Sequence, residues 1–195
     1  MSERDLRQIE AVFSLVDREV WIVTAADGKR RGGLVATWVS QSSIDPQAPT
    51  VAIALATNHF TRELVDRSGA FALHLIASEQ VDLVWRFALG SGRDRDKLSG
   101  VASTVGDSGS PILQNVLAWL ECRVVDRHDG GDRIYYWADV VGSSAPRSGS
   151  PLCEQELFAK ASDEQTSALR KAMLADLEVQ RPLLAGWRGR LGGAS

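Results

Sequence analysis

Residues 20–46 read VWIVTAADGKRRGGLVATWVSQSSIDP, and the pattern of this stretch sets the fold class. The run from Val20 to Ala25 is rich in β-branched and aromatic residues, Asp27-Gly28 supplies a tight turn, and GGLVATWVS follows as a second β-rich run. Two such runs joined by an Asp-Gly dipeptide predict a β-hairpin. Asp45-Pro46 ends the second strand. Downstream, Val51, Ile53 and Leu55 alternate within residues 50–57, as on a half-buried strand. A short helix, TRELVDR, comes next, with Asn58 expected to cap its start and Gly69 to close its end.

Further along, residues 70–76 predict a fourth strand, and Ser78 is expected to cap a helix carrying Val81, Val84, Trp85 and Ala88 that stops at Gly90-Ser91-Gly92. Residues 90–112, rich in Gly, Ser and Asp, read as a long surface loop. Strands at 116–125 and 133–141 flank the turn Asp129-Gly130-Gly131-Asp132, and residues 142–152 form a second Gly/Ser/Pro connection. Ser162 and Gln165 have the spacing of a capping box, opening a helix with Leu169, Met173 and Leu177 on one stripe. The closing WRGRLGGAS reads as frayed chain. Ahead of the hairpin, Leu6, Ile9, Phe13 and Val16 predict an amphipathic helix over residues 4–15. Six strands in pairs with short helices between them break the alternation of a parallel α/β fold. The expectation is a mainly β, antiparallel barrel with helices. Residues 1–151 form its body, and residues 152–195 are a helical extension of the same domain.

With 44% hydrophobic residues, a chain of 195 can bury a sizeable core. A net charge of −3 with no basic run excludes the footprint of a nucleic-acid binder. No apolar stretch approaches the roughly 18 residues that span a bilayer, and MSERDLRQIE lacks the apolar centre of a signal peptide. Cys122 and Cys153 form no CxxC pair, which fits a reducing, cytoplasmic setting. Cys122 alternates with apolar neighbours like a core residue, and nothing near Cys153 marks it as a nucleophile. His59, His74 and His128 lack metal-ligand spacing, there is no G-x-S-x-G, and Gly28, Gly32 and Gly33 make no dinucleotide fingerprint. If the chain is an enzyme, a cofactor carries the chemistry.

Two segments are candidates for holding one. Thr37-Trp38-Val39-Ser40-Gln41-Ser42-Ser43 puts five hydroxyl or amide side chains into seven residues, which fits either a solvated strand end or a cofactor edge. Thr57-Asn58-His59-Phe60-Thr61-Arg62 sits at a predicted helix start. It is either an ordinary cap or an anion site built from free backbone N–H groups with Thr61 and Arg62.

Taken in order, the hairpin stretch, NHFTRELVDRSGAFALHLI, SEQVDLVWRFA, SGRDRDKL, PILQNVLAWLECRV and GDRIYYWADV resemble the flavin reductase-like family of FMN-binding split barrels over about residues 15–142. The resemblance implies a homodimer that binds FMN, with FAD as the less common choice. It implies hydride transfer from NADH or NADPH, and in many members the reduced flavin passes to a partner monooxygenase. By the same resemblance, Thr37, Trp38, Val39 and Ser40 contact the flavin ring, and Thr57, Asn58, His59 and Thr61 contact its phosphate beside Arg62. Arg86, Phe87 and Ala88 form another flavin contact, with Lys97 a further phosphate candidate. Many members read G-D-H where this chain reads Gly131-Asp132-Arg133, so Asp132 and Arg133 fall at the nicotinamide site. An arginine cannot serve as donor and acceptor as imidazole does, but its fork matches a phosphate. It either favours the 2′-phosphate of NADPH or marks a chain without efficient nicotinamide turnover. The alternatives to a reductase are therefore a tight FMN-binding electron carrier and a non-catalytic barrel for another heterocycle.

Overall fold

The computed structural model describes residues 2–192; Met1 and the last three residues of the WRGRLGGAS segment lie outside it. The expected hairpin is β1 (Trp21–Asp27) with β2 (Arg30–Ala36), paired from Trp21↔Ala36 to Asp27↔Arg30 around Gly28 at φ +60°. The second β-rich run does not stay one strand. It breaks at Thr37-Trp38, and β3 (Val39–Gln41) pairs instead with β4 (Thr50–Ala56). With β5 (Ala70–Leu75), β8 (Ala118–Asp129) and β9 (Arg133–Ser143) these form one antiparallel sheet in the order β2-β1-β5-β8-β9-β4-β3.

The two outer strands of that sheet, β2 and β3, are consecutive in the chain and separated only by Thr37 and Trp38. Two residues reach roughly 10 Å between flanking Cα atoms at about 3.3 Å per residue, so the sheet must curl until its edges nearly meet. β2 and β3 form no ladder with each other, and the barrel stays split at that seam. The expected antiparallel barrel is the observed fold, with seven strands in its sheet among the described residues rather than six.

Alternation along the strands sends side chains to two cores. Val23, Phe71, Leu73, Ile53, Leu55 and Tyr136 fill the barrel interior. On the opposite face, Ile22 joins Ile76, Phe87, Leu113 and Leu152 beneath α3 (Val81–Ala88) and α4 (Glu154–Ala159). α2 (Phe60–Ser68) lies on β1 and β2 and sends Leu64 and Val65 into the interior. Its end is as the sequence requires, with Gly69 at φ +66° donating to Val65 O at 2.9 Å. Asp66 on α2 gathers Arg62 (2.7 Å), Tyr136 Oη (2.8 Å) and Arg127 (2.9 Å) and so ties the helix to β8 and β9.

Several expectations change. The cap of α2 is His59, not Asn58, because another helix engages the Asn58 amide. The cap of α3 is Gln80, while Ser78 bonds Ser150 O and Glu156 instead. The segment 90–112 is not all loop: β6 (Ser103–Val105) and β7 (Pro111–Leu113) make a small hairpin, and burial of β7 beneath β5 and β8 holds it. β8 runs past the expected end at residue 125 to Asp129, and His128 within it lies opposite Tyr135. The Ser162–Gln165 capping box is present, with bonds of 2.9 and 3.1 Å, and opens α5 (Asp163–Gly192). That helix continues through Trp187 to Gly192 where fraying was expected. The first helix, α1 (Glu3–Ser14), is present but buries none of its residues, so its apolar stripe faces solvent.

Candidate functional site

A cleft of about 370 Å³ opens between β2, the start of α2, the end of α3 and the segment 90–97, and α5 lies over it. This volume is within the range of ligand pockets. It gathers Asn58, His59, Thr61, Phe87, Ala88 and Lys97, six of the residues singled out from the sequence. β2 lines it with Gly33, Leu34 and Val35. Gly33 is required there: a Cβ would sit 2.7 Å from the Phe87 ring, so only glycine lets α3 approach the strand this closely.

Lys97 is the one lysine buried in the described structure, and its Nζ donates to Phe87 O at 2.7 Å. Burial, aided by Arg95 nearby, draws its pKa down to about 8. Arg86 does not face the cleft. Its guanidinium holds the backbone of the next segment, donating to Lys97 O at 2.8 Å and to Ser99 O, and so positions Lys97. Phe87 closes the floor.

The turn at 57–62 divides its work. Thr57 donates both N–H (2.9 Å) and Oγ1 (2.8 Å) to Asp132 O, fixing the turn to the β8–β9 connection. Arg62 turns back, giving Nε to Thr57 O at 3.0 Å and Nη1 to Asp66, so its guanidinium braces the turn rather than lining the cleft. Thr61 is buried at the wall. Asn58 Nδ2 donates to Asp176 Oδ1 at 2.7 Å, and His59 Nε2 meets Asp176 Oδ2 at 2.9 Å. Arg93, also on the wall, donates to Asn58 O at 3.0 Å and pairs with Glu63.

Four more of the singled-out residues, Thr37, Trp38, Val39 and Ser40, line a second, more open hollow with Ala52, Ala54 and Tyr135, while Thr57, Arg62, Arg86, Asp132 and Arg133 line neither. Arg133 stands over the Trp38 ring, and Asp132 lies 3.9 Å from it. The two hollows are neighbours along β2: Val35 borders the first and Thr37 the second, roughly 7 Å apart on extended chain.

Sequence reasoning missed Arg93 and Asp176. Arg93 sits within the quoted SGRDRDKL stretch, among four charged neighbours that look alike in one dimension. Asp176 lies 118 residues from Asn58 on an otherwise exposed helix, and no local pattern brings the two together. Among the described residues no group of His, Cys, Asp and Glu can hold a metal ion, and no helix is long and apolar enough to cross a membrane. Cys122 is wholly buried, and burial pushes its thiol up to about 12, as suits a core residue.

A split antiparallel barrel with a cleft beside its hairpin strand and polar groups at a helix start defines a class of small β-barrel proteins. The chain belongs to the flavin reductase-like family: the flavin reductase like domain matches residues 13–156. It is similar to the NADH-dependent FMN reductase AsuE2 of Streptomyces nodosus subsp. asukaensis, 30% identical over 151 residues, which are 74% of this chain and 78% of that one. Diflavin flavoprotein A 1 of Synechocystis sp. is 27% identical over 145 residues, but the chain spans only 24% of that protein's length. Among solved structures it is similar to nitrilotriacetate monooxygenase component B from Mycobacterium thermoresistibile, with a TM-score of 0.68 and 28% identity over 76% of this chain and 82% of that one.

Proposed function

We propose that this chain is an NAD(P)H-dependent flavin reductase that binds FMN, or FAD, across the two adjoining hollows. The observation that carries this reading is the pair of neighbouring hollows: a buried Lys97 ammonium and the polar start of α2 line the first, and the Thr37–Ser40 strand break lines the second. The residues present fit such a group. Lys97, Thr61 and the α2 backbone would hold the phosphate, and the backbone of residues 37–40 would face the polar edge of the ring. The bound flavin supplies hydride acceptance from the reduced nicotinamide. The protein's part is to bind, orient and electrostatically favour it, because accepting a hydride is chemistry of the flavin itself.

A second reading, a tightly held FMN serving electron transfer without efficient nicotinamide turnover, is favoured by Arg133 at the position where the resembled family pattern implies histidine. Steady-state oxidation of NADH and NADPH with free FMN or FAD decides between them. Turnover with either nicotinamide supports the reductase, whereas bound flavin bands without turnover support the carrier. Absence of flavin bands after saturation with FMN rejects both in favour of another heterocycle. Thr61→Ala is expected to weaken FMN more than riboflavin, which lacks the phosphate. We further propose a homodimer in a reducing cytoplasm and a monooxygenase as recipient of the reduced flavin. That recipient is in keeping with the similarity to a monooxygenase component B.

A further inference from the structure

The cleft already contains an anion of the protein's own. Asp176, on α5, places one carboxylate oxygen 2.7 Å from Asn58 Nδ2 and the other 2.9 Å from His59 Nε2. A planar carboxylate bridging these two side chains at the first turn of α2 occupies the kind of seat a phosphate oxygen pair takes at a helix start. Gln180, one helical turn further along α5, donates to Asn58 Oδ1 at 3.2 Å, so both polar atoms of the Asn58 amide are engaged from the same helix.

We propose that Asp176 is an internal competitor for the flavin phosphate, and that α5 is a strap which must lift from Asn58 and His59 before a phosphorylated flavin seats fully. This rests on the reading of the cleft as the phosphate seat. Two carboxylate oxygens and a phosphate dianion cannot share the same two donors, and like charges at such separation repel strongly in a partly buried site. The strap is lightly held. Of its thirty residues, Gln180 is the one buried among those described. Its other anchors are Leu169 at the edge of the second core, the close approach of Leu184 and Trp187 to Gly131, and an exposed ion pair of Arg190 with Asp129 at 3.6 Å. Pro182, six residues beyond Asp176, removes the amide hydrogen that Glu178 O would accept, which weakens the helix where it would bend. A helix with so little burial opens at low free energy. The consequence for function is a flavin site whose affinity for phosphorylated flavin is held down by the fraction of time the strap is open. That property suits a protein that releases its flavin.

The test is flavin titration of the full chain and of Asp176→Ala, with FMN and riboflavin side by side. If Asp176 competes with the phosphate, the variant binds FMN roughly tenfold more tightly, corresponding to a strap open about one tenth of the time, while riboflavin affinity stays nearly constant. Equal shifts for both flavins, no shift, or weaker FMN binding overturns the proposal, because Asp176 would then pin or cover the site rather than compete within it. Hydrogen exchange on the unsubstituted protein gives an independent reading: amides of residues 170–187 exchange faster with saturating FMN than with riboflavin. Unchanged protection with FMN bound overturns the lifting step. If neither protein binds either flavin, the flavin reading of the cleft itself fails, and the competitor falls with it.

Discussion

The guanidinium carbon of Arg133 lies 4.2 Å from the centroid of the Trp38 ring, so the first residue of β9 caps the break between β2 and β3. Such a stack contributes about 0.5–2 kcal/mol. It also leaves one donor idle: Arg133 Nε is buried and has no hydrogen-bond partner among the described residues, with Asp132 too distant at 3.9 Å to accept. The preceding carbonyl, Asp132 O, holds Thr57. The β8–β9 connection therefore braces the walls of both hollows, Trp38 of one through Arg133 and, through Thr57, the turn that carries Asn58 of the other.

A desolvated donor without a partner favours an anionic ligand. If Arg133 meets the 2′-phosphate of NADPH, Arg133→Ala raises the KM for NADPH more than that for NADH. A lost charge-assisted contact of about 1.5–3 kcal/mol is a change of roughly ten- to hundredfold in that ratio. Arg133→Lys recovers only part of it, because an ammonium lacks the planar fork and stacks less well on indole. An unchanged ratio of the two kcat/KM values removes Arg133 from that discrimination and leaves it as the cap of Trp38.

If Lys97 holds the flavin phosphate, its titration sets a pH limit on FMN binding. With its pKa lowered by burial to about 8, it is a cation below that pH and neutral above it. FMN affinity is therefore expected to fall as pH rises from 7 to 9, by up to roughly tenfold, whereas riboflavin affinity stays level. The phosphate itself is fully ionised over this range, since its second pKa is about 6. Lys97→Met should abolish the difference in slope. Parallel slopes for both flavins in the unsubstituted protein would place Lys97 outside the phosphate contact.

What the sequence made legible was local. Asp27-Gly28 dictates its own turn, Val51-Ile53-Leu55 dictates its own face, and the Ser162–Gln165 box is complete within four residues. What it hid depends on distant partners. The break at Thr37-Trp38 is decided by β4, which takes Val39–Gln41 as its neighbour. The β6–β7 hairpin is made stable by burial of Pro111–Leu113, not by propensity in a stretch of Gly, Ser and Asp. The end of α5 survives three glycines at 186, 189 and 192, each costing only about 1 kcal/mol relative to alanine.

The site divides along the same line. Asn58, His59, Thr61, Phe87, Ala88 and Lys97 do converge on one cleft. The roles of Arg62 and Arg86 could not be read from charge alone. In one dimension each is a free cation beside a candidate phosphate seat, yet both are committed to backbone carbonyls, Thr57 O and Lys97 O, and shape the cleft from behind.

His74 couples stability to pH. It is wholly buried, its Nδ1–H donates to Ile22 O at 3.0 Å and its Nε2 accepts from Leu113 N–H at 2.9 Å, an arrangement that needs the neutral ring. Burial lowers its pKa from 6.5 to about 4, against the opposing pull of Ile22 O. Between those values the unfolded chain binds a proton that the folded chain refuses. The contribution of His74 is thus complete above about pH 6.5 and is lost as pH falls toward 4, a decline of up to about 3 kcal/mol. Chemical denaturation at a series of pH values measures it. His74→Gln, which keeps a donor and an acceptor but does not titrate, should flatten this part of the curve; an unchanged slope would assign the pH dependence to other groups.

The last expectation concerns α1. Leu6, Ile9, Val12 and Phe13 are 50%, 43%, 62% and 60% exposed along one side of a twelve-residue helix. An isolated helix of that length is marginal in water unless its apolar stripe is covered. A second copy of the chain is the cover expected here, and the stripe of Met173, Leu174 and Leu177 on α5 offers further apolar surface to it. Sedimentation at micromolar concentration should then give twice the 21.2 kDa chain mass. Val12→Glu combined with Phe13→Glu would place two carboxylates in the contact, a penalty of several kcal/mol that weakens association by roughly hundredfold or more. The barrel should stay folded, since neither side chain reaches a core. A dimer that survives both substitutions moves the contact away from α1. A single-chain mass for the unsubstituted protein, with flavin still bound, refutes the dimer.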